Sequence, residues 1–119
     1  MKKIILTLFA ILSFSISNLS CALTQNDYER CLALISYIQN QKNLIFIRNG
    51  TRYDAQAAAS HLTNKLDYSK NRLKSVNEFI DHVASRSYLS GKDYEVILPG
   101  GKQITAKNYL YSILEESGK

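Results

Sequence analysis

The first twenty-two residues constrain the rest most strongly, because they read as an export signal that is cut away and takes no part in the working fold. Lys2 and Lys3 supply a positive start. Ile4 to Ile16 form an apolar run broken only by Thr7, Ser13 and Ser15, and Ser20-Cys21-Ala22 is a small-residue exit. As a helix that run reaches about 20 Å at roughly 1.5 Å per residue, short of a hydrocarbon layer of roughly 30 Å. The segment is therefore expected to be a signal peptide over 1–22, with no stable transmembrane anchor, followed by one domain over 23–119. Acylation of Cys21 as a lipoprotein start is the competing reading. Asn18-Leu19-Ser20 fits it poorly, since the lipobox wants Leu where Asn18 stands.

Cleavage after Ala22 leaves Cys31 as the single thiol, so no internal disulfide can form even in an oxidising compartment. About a hundred residues then have to be held by packing alone, which is enough chain for one modest core. The formal charge of +5 includes Lys2 and Lys3; without them, thirteen basic residues stand against ten acidic ones. That mild excess is dispersed, with no arginine-rich run and no interleaved basic and aromatic array, so nucleic acid is not the expected partner. Attraction to anionic cell-envelope surfaces is compatible with it.

Periodicity predicts an α+β fold, about four helices packed with a small antiparallel sheet or hairpin. Thr24 caps a first helix with Asp27 three places on, and Leu23 is placed to staple to Tyr28. Tyr28, Cys31, Leu32, Ile35 and Ile38 are expected to form its buried face, and Asn40-Gln41-Lys42-Asn43 to end it. Leu44 to Arg48 is a β-branched and aromatic run followed by the turn dipeptide Asn49-Gly50. Thr51 is expected to cap a second helix with Asp54 at its third position and Ala55, Ala58, Ala59, Leu62 and Leu66 as its inner face. A polar loop is expected over 67–74, and Ser75-Val76-Asn77-Glu78 is a capping box for a third helix with Val76, Phe79, Ile80 and Val83 buried. Beyond a hydroxyl-rich loop over 85–91, Tyr94 to Leu98 has strand composition. Pro99-Gly100-Gly101 is a turn signal, and Lys102 to Ile104 is expected as the second arm of a hairpin. Thr105 then caps a last helix carrying Tyr109, Leu110, Ile113 and Leu114.

In this order the chain carries Leu44-Ile45-Phe46-Ile47-Arg48-Asn49-Gly50, Ser60-His61-Leu62 with Lys65-Leu66, Phe79-Ile80-Asp81 with Val83-Ala84-Ser85, and Ser90-Gly91-Lys92 with Tyr94. This succession resembles the YfeK-like family of small exported proteobacterial proteins, domain-of-unknown-function family 5329, over nearly the whole mature chain. The resemblance implies a periplasmic protein of a Gram-negative bacterium and implies no activity. The N-terminal helix and the tail after Pro99 carry it least.

The polar residues of that pattern are the candidate site. His61 and Lys65 lie four apart, and Asp54 seven before His61, which puts all three on one stripe of the expected second helix. Arg48 and Asn49 stand at the turn just before it. A pocket of Arg48, Asn49, Tyr53, His61 and Lys65, with Ser85 or Ser87 from the later loop, would suit a carboxylate or phosphate, because Arg offers a planar fork and Lys a point charge. Each of these residues also has an ordinary structural use: Arg48 on loop carbonyls, Asn49-Gly50 as a turn, His61 as a bridge between packed elements. Cys31, inside an apolar face, reads as a small buried hydrophobe.

Catalysis has less support. A triad of Ser85 or Ser87 with His61 and Asp81 can be composed, yet no Gly-x-Ser-x-Gly elbow presents a nucleophile. His61 and His82 belong to no metal-binding motif, no cofactor signature is present, and Glu115-Glu116 are neighbours that do not share a helix face. The expected function is thus a small non-catalytic binding or interaction module meeting an envelope protein or an anionic envelope component. The alternative is a small hydrolase using His61 as general base with a loop serine. Eight tyrosines, all after Ala22, suit a binding surface, since Tyr buries a ring while keeping a polar tip.

Overall fold

The structure, a computed structural model, describes residues 22–117. The export-signal segment and Cys21 thus lie outside the described residues, Ala22 excepted. Helix α1 runs Gln25–Gln39, strands β1 and β2 Ile45–Arg48 and Thr51–Asp54, and helix α2 Ala55–Ser69. A 3-10 turn over Lys70–Arg72 leads to helix α3, an α-helical turn over Val76–Glu78 that continues as a π-helix over Phe79–Ala84. Strands β3 and β4, Glu95–Ile97 and Gln103–Thr105, precede helix α4, Ala106–Ser117. The fold is α+β, with a four-stranded antiparallel sheet of order β2-β1-β3-β4.

Local chemistry accounts for most of these boundaries. Thr24 accepts a hydrogen bond from the Asp27 amide, Ser75 from the Glu78 amide and Thr105 from the Asn108 amide, so three of the helix starts are capped where expected. Glu78 returns its carboxylate to the Lys74 amide, one residue earlier than a standard capping box would place it. The start of α2 differs from expectation. Asn49 and Gly50 both have positive φ, 52° and 81°, the left-handed pair of a two-residue hairpin turn. Thr51 is thereby paired with Arg48, and Thr51–Asp54 is a strand rather than the first turn of a helix. Asp54 is the N-cap, accepting from the Ala57 amide. The expected loop after Leu66 is also shorter, since α2 continues to Ser69 and Leu73 is buried.

The core lies between the helices and one face of the sheet. Residue alternation puts Phe46 and Val96 on that inner face, opposite one another, with the Tyr109 ring of α4 edge-on to Phe46 at 6.2 Å. Phe79, Ile38, Leu66, Ile80 and Leu110 are sealed from water, each contributing about 1.5–3 kcal/mol by burial. On α1 the inward stripe is Cys31, Leu34, Ile35 and Ile38; Leu32, expected inside, is 37% exposed, and Leu34, which borders the hollow between α1 and α4, is buried in its place.

Candidate functional site

The same alternation that buries Phe46 carries Arg48 to the inner face at the end of β1. Through the hairpin register it brings Tyr53, opposite Phe46, beside it. Tyr94, two residues before Val96, enters from β3's leading edge. Across from them α2 presents His61 and Lys65, one turn apart. Arg48 Nη1 lies 2.8 Å from His61 Nε2. A guanidinium has no acceptor, so Nε2 must accept and the proton of the neutral ring sits on Nδ1. The Tyr53 ring stands edge-on to the imidazole at 5.3 Å, and Arg48 Nη1 also reaches the Tyr53 hydroxyl at 3.4 Å.

Lys65 donates to the Tyr94 hydroxyl at 2.8 Å and to the Arg86 carbonyl at 2.9 Å, with the exposed Tyr88 ring 4.6 Å from Nζ. Burial first, and the Arg48 charge second, pull the Lys65 ammonium down from 10.5 to about 8. Burial, then Arg48, then Lys65 hold the His61 imidazole below its usual 6.5. Among the described residues no carboxylate lies within ion-pair distance of Arg48, His61 or Lys65; the pairs formed are Arg30–Asp27, Lys70–Asp67 and Lys107–Asp81.

These side chains border a cleft of about 300 Å³ closed on its far side by Ser87, Tyr88 and Leu89. Larger hollows exist, about 530 Å³ beside the end of α1 and about 350 Å³ between α1 and α4. Their linings mix signs, Lys42 with Asp54 and Arg30 with Glu29, so neither concentrates charge as this smaller cleft does.

The structure gathers Arg48, Tyr53, His61 and Lys65 at one point and sets Asn49 and Ser87 at its rim as mutual partners. Asn49 Nδ2 donates to Ser87 Oγ at 3.2 Å, and Ser90 Oγ donates to Asn49 Oδ1 at 2.6 Å, tying the hairpin tip to the loop over 85–93. Ser85 is buried and gives its hydroxyl proton to the Asp81 carbonyl, outside the cleft. Asp54 stands before the first turn of α2 rather than on its stripe. Tyr88, Leu89 and the Lys65–Tyr94 contact were not foreseen as site features; the alternation Tyr94-Glu95-Val96 is the sequence signal that could have placed Tyr94.

No serine triad is assembled from these residues. His61 Nε2 is engaged by Arg48, Asp81 accepts from Tyr111 at 2.8 Å and pairs with Lys107, and Ser87 Oγ accepts from the Leu89 and Ser90 amides. Among the described residues no three His, Cys, Asp or Glu side chains form a group able to hold a metal ion. No helix among them is long and apolar enough to cross a membrane.

No solved structure matches the chain. It is 36% identical over 96 residues to the uncharacterised protein YfeK of Salmonella typhimurium strain LT2, an alignment covering 79% of this chain and 77% of that protein. The family of unknown function DUF5329 matches residues 25–117, and with that span and that identity the chain belongs to the DUF5329, YfeK-like family.

Proposed function

We propose that the protein is a small periplasmic, non-catalytic binding module whose cleft at Arg48, His61 and Lys65 holds an anionic group, a carboxylate or phosphate, of a cell-envelope component. The carrying observation is the gathering of these three basic side chains with no carboxylate among them. Packing cations together against a desolvated wall opposes folding, and here it lowers the proton affinity of both Lys65 and His61. An anion in the cleft relieves that repulsion and gains charge-assisted hydrogen bonds from Arg48 and Lys65. The periplasmic part of the reading is supported by the signal-like segment ahead of Leu23. Its check is mass spectrometry of the exported protein: a mature start at Leu23 is expected, and a diacylated Cys21 overturns the soluble form.

Amide NMR with added inorganic phosphate or acetate tests the site. The expected result is saturable shifts centred on Arg48, His61, Lys65 and Ser87, a rise in the Lys65 pKa, and weakening of both effects with added chloride. Arg48→Gln and Lys65→Gln are each expected to reduce the affinity several-fold. Undisturbed resonances across the cleft with an unmoved Lys65 pKa would sink the anion reading.

A further inference from the structure

Behind the basic cleft lies a second, much smaller space. It is a recess of about 20 Å³, walled by the carbon side chains of Phe46, Ala58 and Leu62 and sharing Arg48, His61, Lys65 and Tyr94 with the cleft in front of it. That volume admits one water-sized group. A water there would face carbon on the inner side and find few partners, whereas a methyl group would lose nothing by entering. In front, the cleft of about 300 Å³ is too large for a bare anion, and its outer wall carries Tyr88 and Leu89, which are 57% and 92% exposed. A methyl-sized recess, the basic side chains and an open apolar flank thus follow one another from inside to outside.

We infer that the occupant is a peptide ending in alanine, its terminal carboxylate on Arg48 and Lys65, its terminal methyl in the recess between Ala58 and Leu62, and its preceding residue along Tyr88 and Leu89. This rests on the anion-binding reading above and adds ligand class to it. The carboxylate sits at the four residues common to both spaces. The carbon next to a carboxylate therefore lies at the mouth of the recess, and a single methyl is the substituent that the recess can accept. Glycine leaves it empty and leucine overfills it. A C-terminal amide offers Arg48 and Lys65 no charge.

The test is competition binding to the protein purified from cells expressing the full chain. The ligands are acetyl-glycyl-alanine in either hand, acetyl-glycyl-glycine, acetyl-glycyl-leucine, the amide of the alanine peptide, and inorganic phosphate. One hand of the alanine peptide is expected to bind about fourfold tighter than the glycine peptide, the worth of one buried methyl, and tighter than the leucine peptide, with the amide at least about tenfold weaker. Equal affinity for the three free carboxylates, or binding of phosphate alone, overturns the alanine inference and leaves the anion site standing. No binding by any ligand removes both. Ala58→Val, which fills the recess, is expected to erase the preference for alanine over glycine. A preference surviving in Ala58→Val would also overturn the assignment, and should that variant fail to fold, the peptide series on the unaltered protein decides.

Discussion

At His61 a hydrogen bond and a titration express one constraint. Nε2 accepts from Arg48 only while the ring is neutral, so protonation would lose that bond and set a third cation beside Arg48 and Lys65. The folded-state pKa lies below the unfolded value of 6.5, so between the two the unfolded chain holds more protons than the folded one. Stability associated with His61 is therefore complete above pH 6.5 and is lost as the pH falls toward the folded pKa. His61→Gln keeps an acceptor for Arg48 without a titrating ring, and is expected to flatten the fall in urea midpoint between pH 7 and pH 5. Parallel pH profiles for the two proteins would contradict a neutral, Arg48-bonded imidazole. Lys65 obeys the same sign in a different window. Its pKa falls from 10.5 to about 8, so stability should rise as the pH climbs through that interval, and phosphate in the cleft should shrink the rise by restoring the charge.

The hinge between β2 and α2 separates two ways of reading the same residues. Thr51 and Asp54 stand three apart ahead of an alanine-rich run, which reads locally as a helix start. Strand pairing takes precedence because Asn49 and Gly50 accept the left-handed conformation a two-residue turn needs, and Thr51 and Tyr53 suit a pleated edge. Asp54→Ala is accordingly expected to cost about 1 kcal/mol in denaturant unfolding, the value of an N-cap, and Thr51→Ala clearly less; the reverse order would restore Thr51 as the cap. The sequence reveals those parts of the fold that depend on short-range patterns: the capped starts at Thr24, Ser75 and Thr105, the strand at Ile45–Arg48, and the hairpin through Pro99. It also places His61 and Lys65 on one stripe of α2. Leu32 and Leu34 both keep helical spacing with Ile38 or Ile35, and only the packing of α1 on the rest of the domain chooses between them. The cleft is still less local. Lys65 meets Tyr94 across 29 residues and Asn49 meets Ser87 across 38, contacts that no nearby pattern encodes.

Among the described residues one core joins the four helices to the sheet, and Cys31 is a natural reporter on it. Its side chain is fully buried, and burial, helped by Asp27, pushes the thiol up to about 12, so the folded protein offers labelling reagents neither access nor thiolate. Labelling must await an opening that exposes α1. If α1 can peel away alone, the rate depends only on contacts that α1 makes. If the core opens as a unit, a defect far from α1 accelerates it just as much. Val96, fully buried on β3 and opposed to Phe46, supplies that remote defect. Removing its two methyl groups in Val96→Ala is expected to cost about 2 kcal/mol of a total near 5–15 kcal/mol. With opening and closing fast relative to labelling, the single-core arrangement raises the Cys31 labelling rate about thirtyfold in Val96→Ala at neutral pH, matching the loss seen in denaturant unfolding. An unchanged rate in a measurably destabilised variant would mean that α1 opens independently. The cleft, built from β1, α2 and the loop before β3, would then be carried by a smaller cooperative unit than the full domain.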